Sequence, residues 1–208
     1  MRNVLLGAAF ILLSAAAVRA QDADANDRVL GVLPNYATVE HGAAPTPVSA
    51  RWMFAAAAKG TFDPYVYAFT GLTTAIGQGG STRTYAQRYG TAFADNAIGN
   101  MLTSALLPAA LRQDPRYYQR GTGSVVGRFA YAASRIAITR GVTGRAEINA
   151  SELMGNLTAG AVANAYYPAA SRSLSATMSR WATQVAWDAL ANELKEFWPD
   201  VRDRLRHR

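Results

Sequence analysis

The stretch from Tyr85 to Tyr118 constrains this chain most. It is the longest with helical character, and it carries small residues where a surface helix needs none. Gly90, Ala94, Ala97 and Met101 recur at three- and four-residue spacing and so line one side of a helix. Asp95, Asn96, Gly99 and Asn100 lie in the middle of the same run. A second stretch repeats the device: Gly155, Ala159 and Ala163 follow at four-residue intervals, and Gly160 and Asn164 form a parallel pair. No charge occurs from Leu153 to Ser171. Small faces of this kind serve helices that approach two neighbours closely, in a protein core or in lipid. The expected fold is therefore all-α, an Ala/Gly-rich bundle of about five to six helices with an irregular N-terminal arm.

The remaining elements follow from caps and breakers. Residues 21–48 read as an extended arm, with Pro45 and Pro47 delaying the first helix. Ser49 caps a helix over Ala50 to Lys59 that ends at Gly60, and Asp63-Pro64 starts the next. Tyr65, Phe69, Leu72 and Ile76 recur there at helical spacing, although Tyr, Val, Phe and Thr also suit a strand. Gly77, Gly79 and Gly80 form a linker. Pro108 is expected to kink the long helix or split it after Leu107. Asp114-Pro115 is expected to start a short helical turn through Tyr118. Val125 to Thr139 reads as a helix with Phe129, Ala133 and Ile136 on one face, and residues 140–149 as a loop or a short hairpin turning at Gly141 or Gly144. Asn149 and Glu152 resemble a capping box for a helix over Ser151 to Tyr166. The last helix is expected from Ser173 to Trp198, where Pro199 breaks it and leaves a basic tail at 201–208. Trp187, Leu190, Leu194 and Trp198 make its core stripe. Arg180, Gln184, Asp188 and Asn192 mark a polar stripe at four-residue spacing, placed to face Asn100 or Asp95 if it turns inward.

Residues 1–20 have a positive start at Arg2, an apolar run from Val4 to Leu13 and small residues at Val18 and Ala20, the pattern of a cleaved signal peptide. Its removal takes away Arg2 and Arg19 and leaves a net charge of +5 instead of +7. Residues 49–200 then form a single helical domain, exported to a bacterial periplasm or beyond. The chain has no cysteine, which excludes a disulfide framework, a thiol nucleophile and a lipid-modified cysteine. Nearly all its bases are arginine, only Lys59 and Lys195 being lysines, and no three bases are consecutive. That pattern suits an anionic polymer, an anionic lipid surface or an envelope protein, and does not suit nucleic acid.

Chemistry is sparse. His41 and His207 are the only histidines, so no metal site and no cofactor is expected, and no Gly-x-Ser-x-Gly elbow occurs. The segment RQDPRYYQR is the densest, with three arginines, an aspartate and two tyrosines in nine residues. Two readings stand. Arg112, Arg116, Tyr117, Tyr118 and Arg120 form a contact surface for an anion or sugar polymer; or Asp114 caps a corner, Arg116 pairs locally and the tyrosines pack. Catalysis, if present, falls to Asp95 and Asp188 as a carboxylate pair of a cell-envelope hydrolase.

The stretches ADNAIGN, LRQDPRYYQRG and NAYYPAASRSLSATMSRWATQVAWDALANELKEFWPD resemble uncharacterised exported proteins of soil bacteria, acidobacteria above all, over Val29 to Asp200. The resemblance implies export from a bacterial cell and assigns no catalytic or binding residue. The expected role is a structural or interaction one in the cell envelope, with peripheral membrane association or self-association. An oligomeric helical membrane protein would require apolar outer faces at 64–76, 96–107 and 153–167.

Overall fold

A computed structural model describes residues 28–29, 33–43, 46–76 and 83–206. The signal segment, residues 21–27 of the arm and the Gly77–Gly80 linker lie outside the described residues.

Local chemistry sets six helices among the described residues. Ser49 accepts a hydrogen bond from Trp52 N and opens α1, Ala50–Thr61, which runs past Gly60. Asp63 accepts from Tyr65 N at the start of α2, Pro64–Ile76, so the helical reading of this segment holds over the strand. Thr84 and Gln87 form a reciprocal capping box at α3, Tyr85–Met101. The helix does not split at Pro108. Instead the helix widens into a π-helical stretch, Leu102–Leu106, with Leu107 N bonded to Leu102 O, and continues as Leu107–Leu111. The wider turn makes room for a ring that has no N–H and would press on the carbonyl one turn back. Arg112, at φ 58°, then ends it in the left-handed conformation.

After Arg112 the chain is extended, not helical as expected. Strands pair along it: β1, Arg28–Val29, with β2, Leu33–Pro34, and β3, Thr38–Val39, in parallel with β5, Tyr117–Tyr118. β4, Gln113–Asp114, pairs with β6, Ile138–Gly141, which forms a hairpin with β7, Ala146–Ile148, around Gly144. Asp114 holds Arg116 N and the Arg116 guanidinium, a local turn that leaves the following residues free to join the arm. The arm is fastened a second time, where Arg28 and Tyr36 both bond the Asp63 carboxylate.

Helix α4 covers Val125–Ser134 and α5 covers Ala150–Val162, with Asn149 accepting from Glu152 N at its start. The three residues expected to share a face divide: Phe129 and Ala133 are exposed, while Ile136 is buried with Arg128 and Ala132. The reason is Glu196. Its carboxylate is fully buried and accepts from Arg128 Nε, Tyr117 Oη, Arg120 N and Gly121 N, at 2.8, 2.8, 2.9 and 2.9 Å. Gly121 holds φ +66°, and a Cβ there would lie 2.5 Å from His41 Cβ.

Helix α6, Leu174–Arg206, passes through Pro199 without stopping and takes most of the expected tail with it. Pro199 has no N–H for the Lys195 carbonyl, and Gln119 Nε2 supplies the missing donor at 2.6 Å. The next carbonyl, Glu196 O, accepts from Arg128 Nη2. At the bundle's centre α5 lies against the π-helical stretch of α3, where Gly155 is buried; a Cβ on it would meet Thr103 Cγ2 at 2.7 Å. Ala159 and Ala163 are buried on the same face, so the small-residue pattern is a packing face as expected.

Candidate functional site

Three of the four residues of the expected core stripe of α6 are turned out, and Trp198 is half-buried. Trp187, Leu190 and Leu194 are 52%, 48% and 37% exposed. Arg180, Gln184, Asp188 and Asn192 are half-buried, and the contacts made by Arg180 and Asp188 lead to α5 rather than to Asn100 or Asp95. Arg180 donates to Gly160 O and Asn164 Oδ1 of the α5 end and to Ser171 O. Asp188 accepts from Asn156 Nδ2 of α5 at 3.0 Å. Small residues on α5 bring the two helices close enough for side chains this short to meet, and burying the polar stripe leaves the apolar one outside.

Gln184, Asp188 and Asn192 also line a cavity of about 610 Å³ bounded by α1, α2, α3, α5 and α6. Two residues the sequence reading passed over complete its charged end. Glu152, read as half of a capping box, sends its carboxyl inward instead: Asn156 Nδ2 donates to Glu152 Oε1 at 2.8 Å and to Asp188 Oδ2 at 3.0 Å, so one amide bridges the two carboxyl groups. Lys195 extends the polar stripe by one further helical step. Both Glu152 and Lys195 are half-buried and line this cavity. Burial, then the negative charge of Asp188, pushes the Glu152 carboxyl well above the usual carboxylate range. Burial pulls the Lys195 ammonium down, against the opposing pull of Asp188 and Glu152. The result is a carboxyl pair of the kind that retains a proton, beside a lysine. One signal of it was present in the sequence: Lys195 is one of two lysines in a chain that otherwise uses arginine.

Asp95 lines the same cavity but is held by two phenols, Tyr166 Oη and Tyr167 Oη, each at 2.5 Å from one of its oxygens. Burial, with Asp95 as hydrogen-bond acceptor, pushes both tyrosines far above their usual range. The carboxyl beside Asp188 is therefore Glu152, not Asp95.

The RQDPRYYQR segment is built as a corner. Arg116 chelates Asp114 (Nε to Oδ1 2.9 Å, Nη2 to Oδ2 2.7 Å) and reaches Thr46 O. Tyr118 Oη donates to Asp114 Oδ2, and Tyr117 is buried against Glu196. Arg112 and Arg120 keep exposed side chains, so of the five candidate contact residues these two reach solvent freely. No group of three or more metal-ligating side chains occurs among the described residues. Compared with known proteins, the chain matches no family model, and neither a curated protein nor a solved structure matches it.

Proposed function

We propose that this chain is a non-enzymatic protein of the cell envelope that works by seating an apolar face on the interface of an anionic membrane. The observation that carries the reading is the pair of outward stripes on α2 and α6. Phe69, Leu72 and Ile76 recur at helical spacing on α2 and are exposed, as are Trp187, Leu190 and Leu194 on α6. The stripes join where the Phe69 and Trp187 rings meet edge to face, 6.0 Å between centroids. An exposed joined apolar face marks an interaction surface, and Trp with Tyr at its edges suits the headgroup level of a bilayer. No helix of the described residues is long and apolar enough to cross a membrane, so the face fits a protein lying on the bilayer. A net charge of +5 after removal of residues 1–20, with nearly all the bases arginine, complements anionic headgroups. The hydrolase alternative with Asp95 and Asp188 is weaker, because the tyrosines occupy Asp95.

The test is co-sedimentation of the purified chain with phosphatidylcholine vesicles, with and without phosphatidylglycerol, together with a carbonate wash of membranes from expressing cells. Binding to the anionic vesicles that is lost in Leu72→Glu and Trp187→Glu, with unchanged helical circular dichroism, supports the reading. A chain that ignores both vesicles, or a lipid-free dimer that buries Trp187, overturns it.

A further inference from the structure

The charged end of the cavity contains opposite charges that do not touch. Lys195 makes no hydrogen bond and no ion pair within 4.0 Å among the described residues, although Glu152 and Asp188 are near enough to act on its charge. Opposite charges that face one cavity without closing on one another are both left to be matched by whatever occupies it. Here Asn156 ties the two carboxyl groups to each other, at 2.8 and 3.0 Å, and the lysine stands apart. The buried Gln184 Oε1 on the same wall has no hydrogen-bond donor. A space with one positive pole, one negative pole and a spare acceptor selects by charge. A free anion meets the carboxyl pair, a metal cation meets the lysine, and a neutral apolar molecule leaves every pole unmatched.

We propose that this cavity is a binding site for a small zwitterion, an α-amino acid or the paired ends of a very short peptide. The ligand's carboxylate takes the Lys195 ammonium, its ammonium takes the carboxyl pair of Glu152 and Asp188, and Gln184 Oε1 accepts a remaining N–H. A volume of about 610 Å³ exceeds what a single amino acid occupies and stays within the range of small-molecule pockets. The cavity shares Phe69, Trp187, Leu190 and Leu194 with the outward face of α2 and α6, so its test uses substitutions at Lys195 and Asp188, which that face does not contain, and the two readings fail separately.

Calorimetric titration of the purified chain with L-alanine, D-alanine and D-alanyl-D-alanine tests it, with acetate and methylammonium as single-charge probes. The expected result is saturable binding of at least one zwitterion and none of either single-charge probe at the same concentration. Lys195→Met and Asp188→Asn are each expected to weaken that binding by about tenfold or more, as loss of a charge-assisted contact does. Lys195→Met removes a charge that burial disfavours and Asp188→Asn keeps the shape of the side chain, so both variants are expected to fold, with circular dichroism as the check. Absence of binding by all three zwitterions, equal binding of acetate, or binding that survives Lys195→Met unchanged overturns the proposal.

Discussion

Arg128 Nε and Glu196 Oε1 meet at 2.8 Å where α4, α6 and the corner after β5 converge, and neither side chain is more than 8% exposed. Glu196 is satisfied by four donors from three parts of the chain. Burial alone would raise its pKa, but Arg128, the two backbone N–H groups and Tyr117 outweigh that and hold it below the usual carboxylate range. Removing the carboxylate leaves a phenol and two amides without an acceptor and takes from Arg128 its buried carboxylate, leaving it only Asp200 and the Glu196 carbonyl. Glu196→Ala is therefore expected to cost about 3–5 kcal/mol, the range for breaking a buried pair from one side. Urea unfolding at neutral pH measures it. Replacing Arg128 and Glu196 together with Met and Leu is expected to cost less than Glu196→Ala alone, because no charge is then stranded.

Pro199 and Gln119 form a second dependent pair. In a helix interior proline costs about 3 kcal/mol, in part for the carbonyl it leaves bare. Gln119 Nε2 covers that carbonyl on Lys195. Gln119→Ala is expected to destabilise the wild type by about 1–2 kcal/mol, the cost of an unsatisfied buried acceptor. In a Pro199→Ala background the restored N–H takes the Lys195 carbonyl, and the same substitution is expected to cost clearly less. A double-mutant cycle reads the difference directly. Equal costs in both backgrounds would mean that Gln119 acts elsewhere, for instance through its bond from His41 N.

What was legible in the sequence was whatever short-range chemistry decides. Ser49, Asp63 and Asn149 cap helices where their side chains can reach the first free N–H groups, and the Gly155 series packs as its spacing requires. What was not legible depends on residues far apart in the chain. Pro199 reads as a breaker until Gln119, 80 positions earlier, is placed beside it. Arg128 reads as surface until Glu196 is found underneath. The α6 stripes carry the same blind spot: periodicity gives two faces and not which one points in. Here the polar face goes in, because Asn156 and Asn164 of the neighbouring elements offer it partners.

Close approach also predicts opposite outcomes for one substitution at two glycines. Gly155→Ala places a Cβ 2.7 Å from Thr103 Cγ2 and 3.2 Å from its backbone, and backbone cannot step aside. Overpacking of this kind costs about 1–3 kcal/mol. Gly90, on the exposed side of α3, has nothing within 4 Å of an added Cβ. Gly90→Ala is expected to stabilise by about 0.5–1 kcal/mol through helix propensity alone. Thermal melts of the two variants should therefore move in opposite directions from the wild type.

The carboxylates divide into two groups with opposite dependence on pH. For Asp63, Asp114 and Glu196, burial raises the pKa, but Arg28 and Tyr36, Arg116 and Tyr118, and Arg128 with its companions outweigh it, so all three are lowered in the fold. Their stabilisation is present above the unfolded carboxylate value of about 4 and is lost as pH falls through the lower folded values. Glu152 is raised, by burial first and by Asp188 next. Its contribution is fully present below the unfolded value and is lost as pH rises through the folded one. Lys195 is lowered, by burial, so stability recovers as pH climbs from its folded value toward the unfolded value of about 10.4. Glu152→Gln keeps an acceptor for Asn156 and removes the ionisation. It is expected to raise the urea midpoint at about pH 8 and to leave it nearly unchanged at about pH 4, where Glu152 is already protonated. Glu196→Gln is expected to lower the midpoint at about pH 8, because the charge it removes is the one its four donors hold in place. Midpoints of the wild type and both variants at the two pH values separate the groups. A Glu152→Gln midpoint below the wild type at the higher pH would mean that the carboxylate is needed in its charged form, as the partner of Lys195 rather than as a proton-retaining acid beside Asp188.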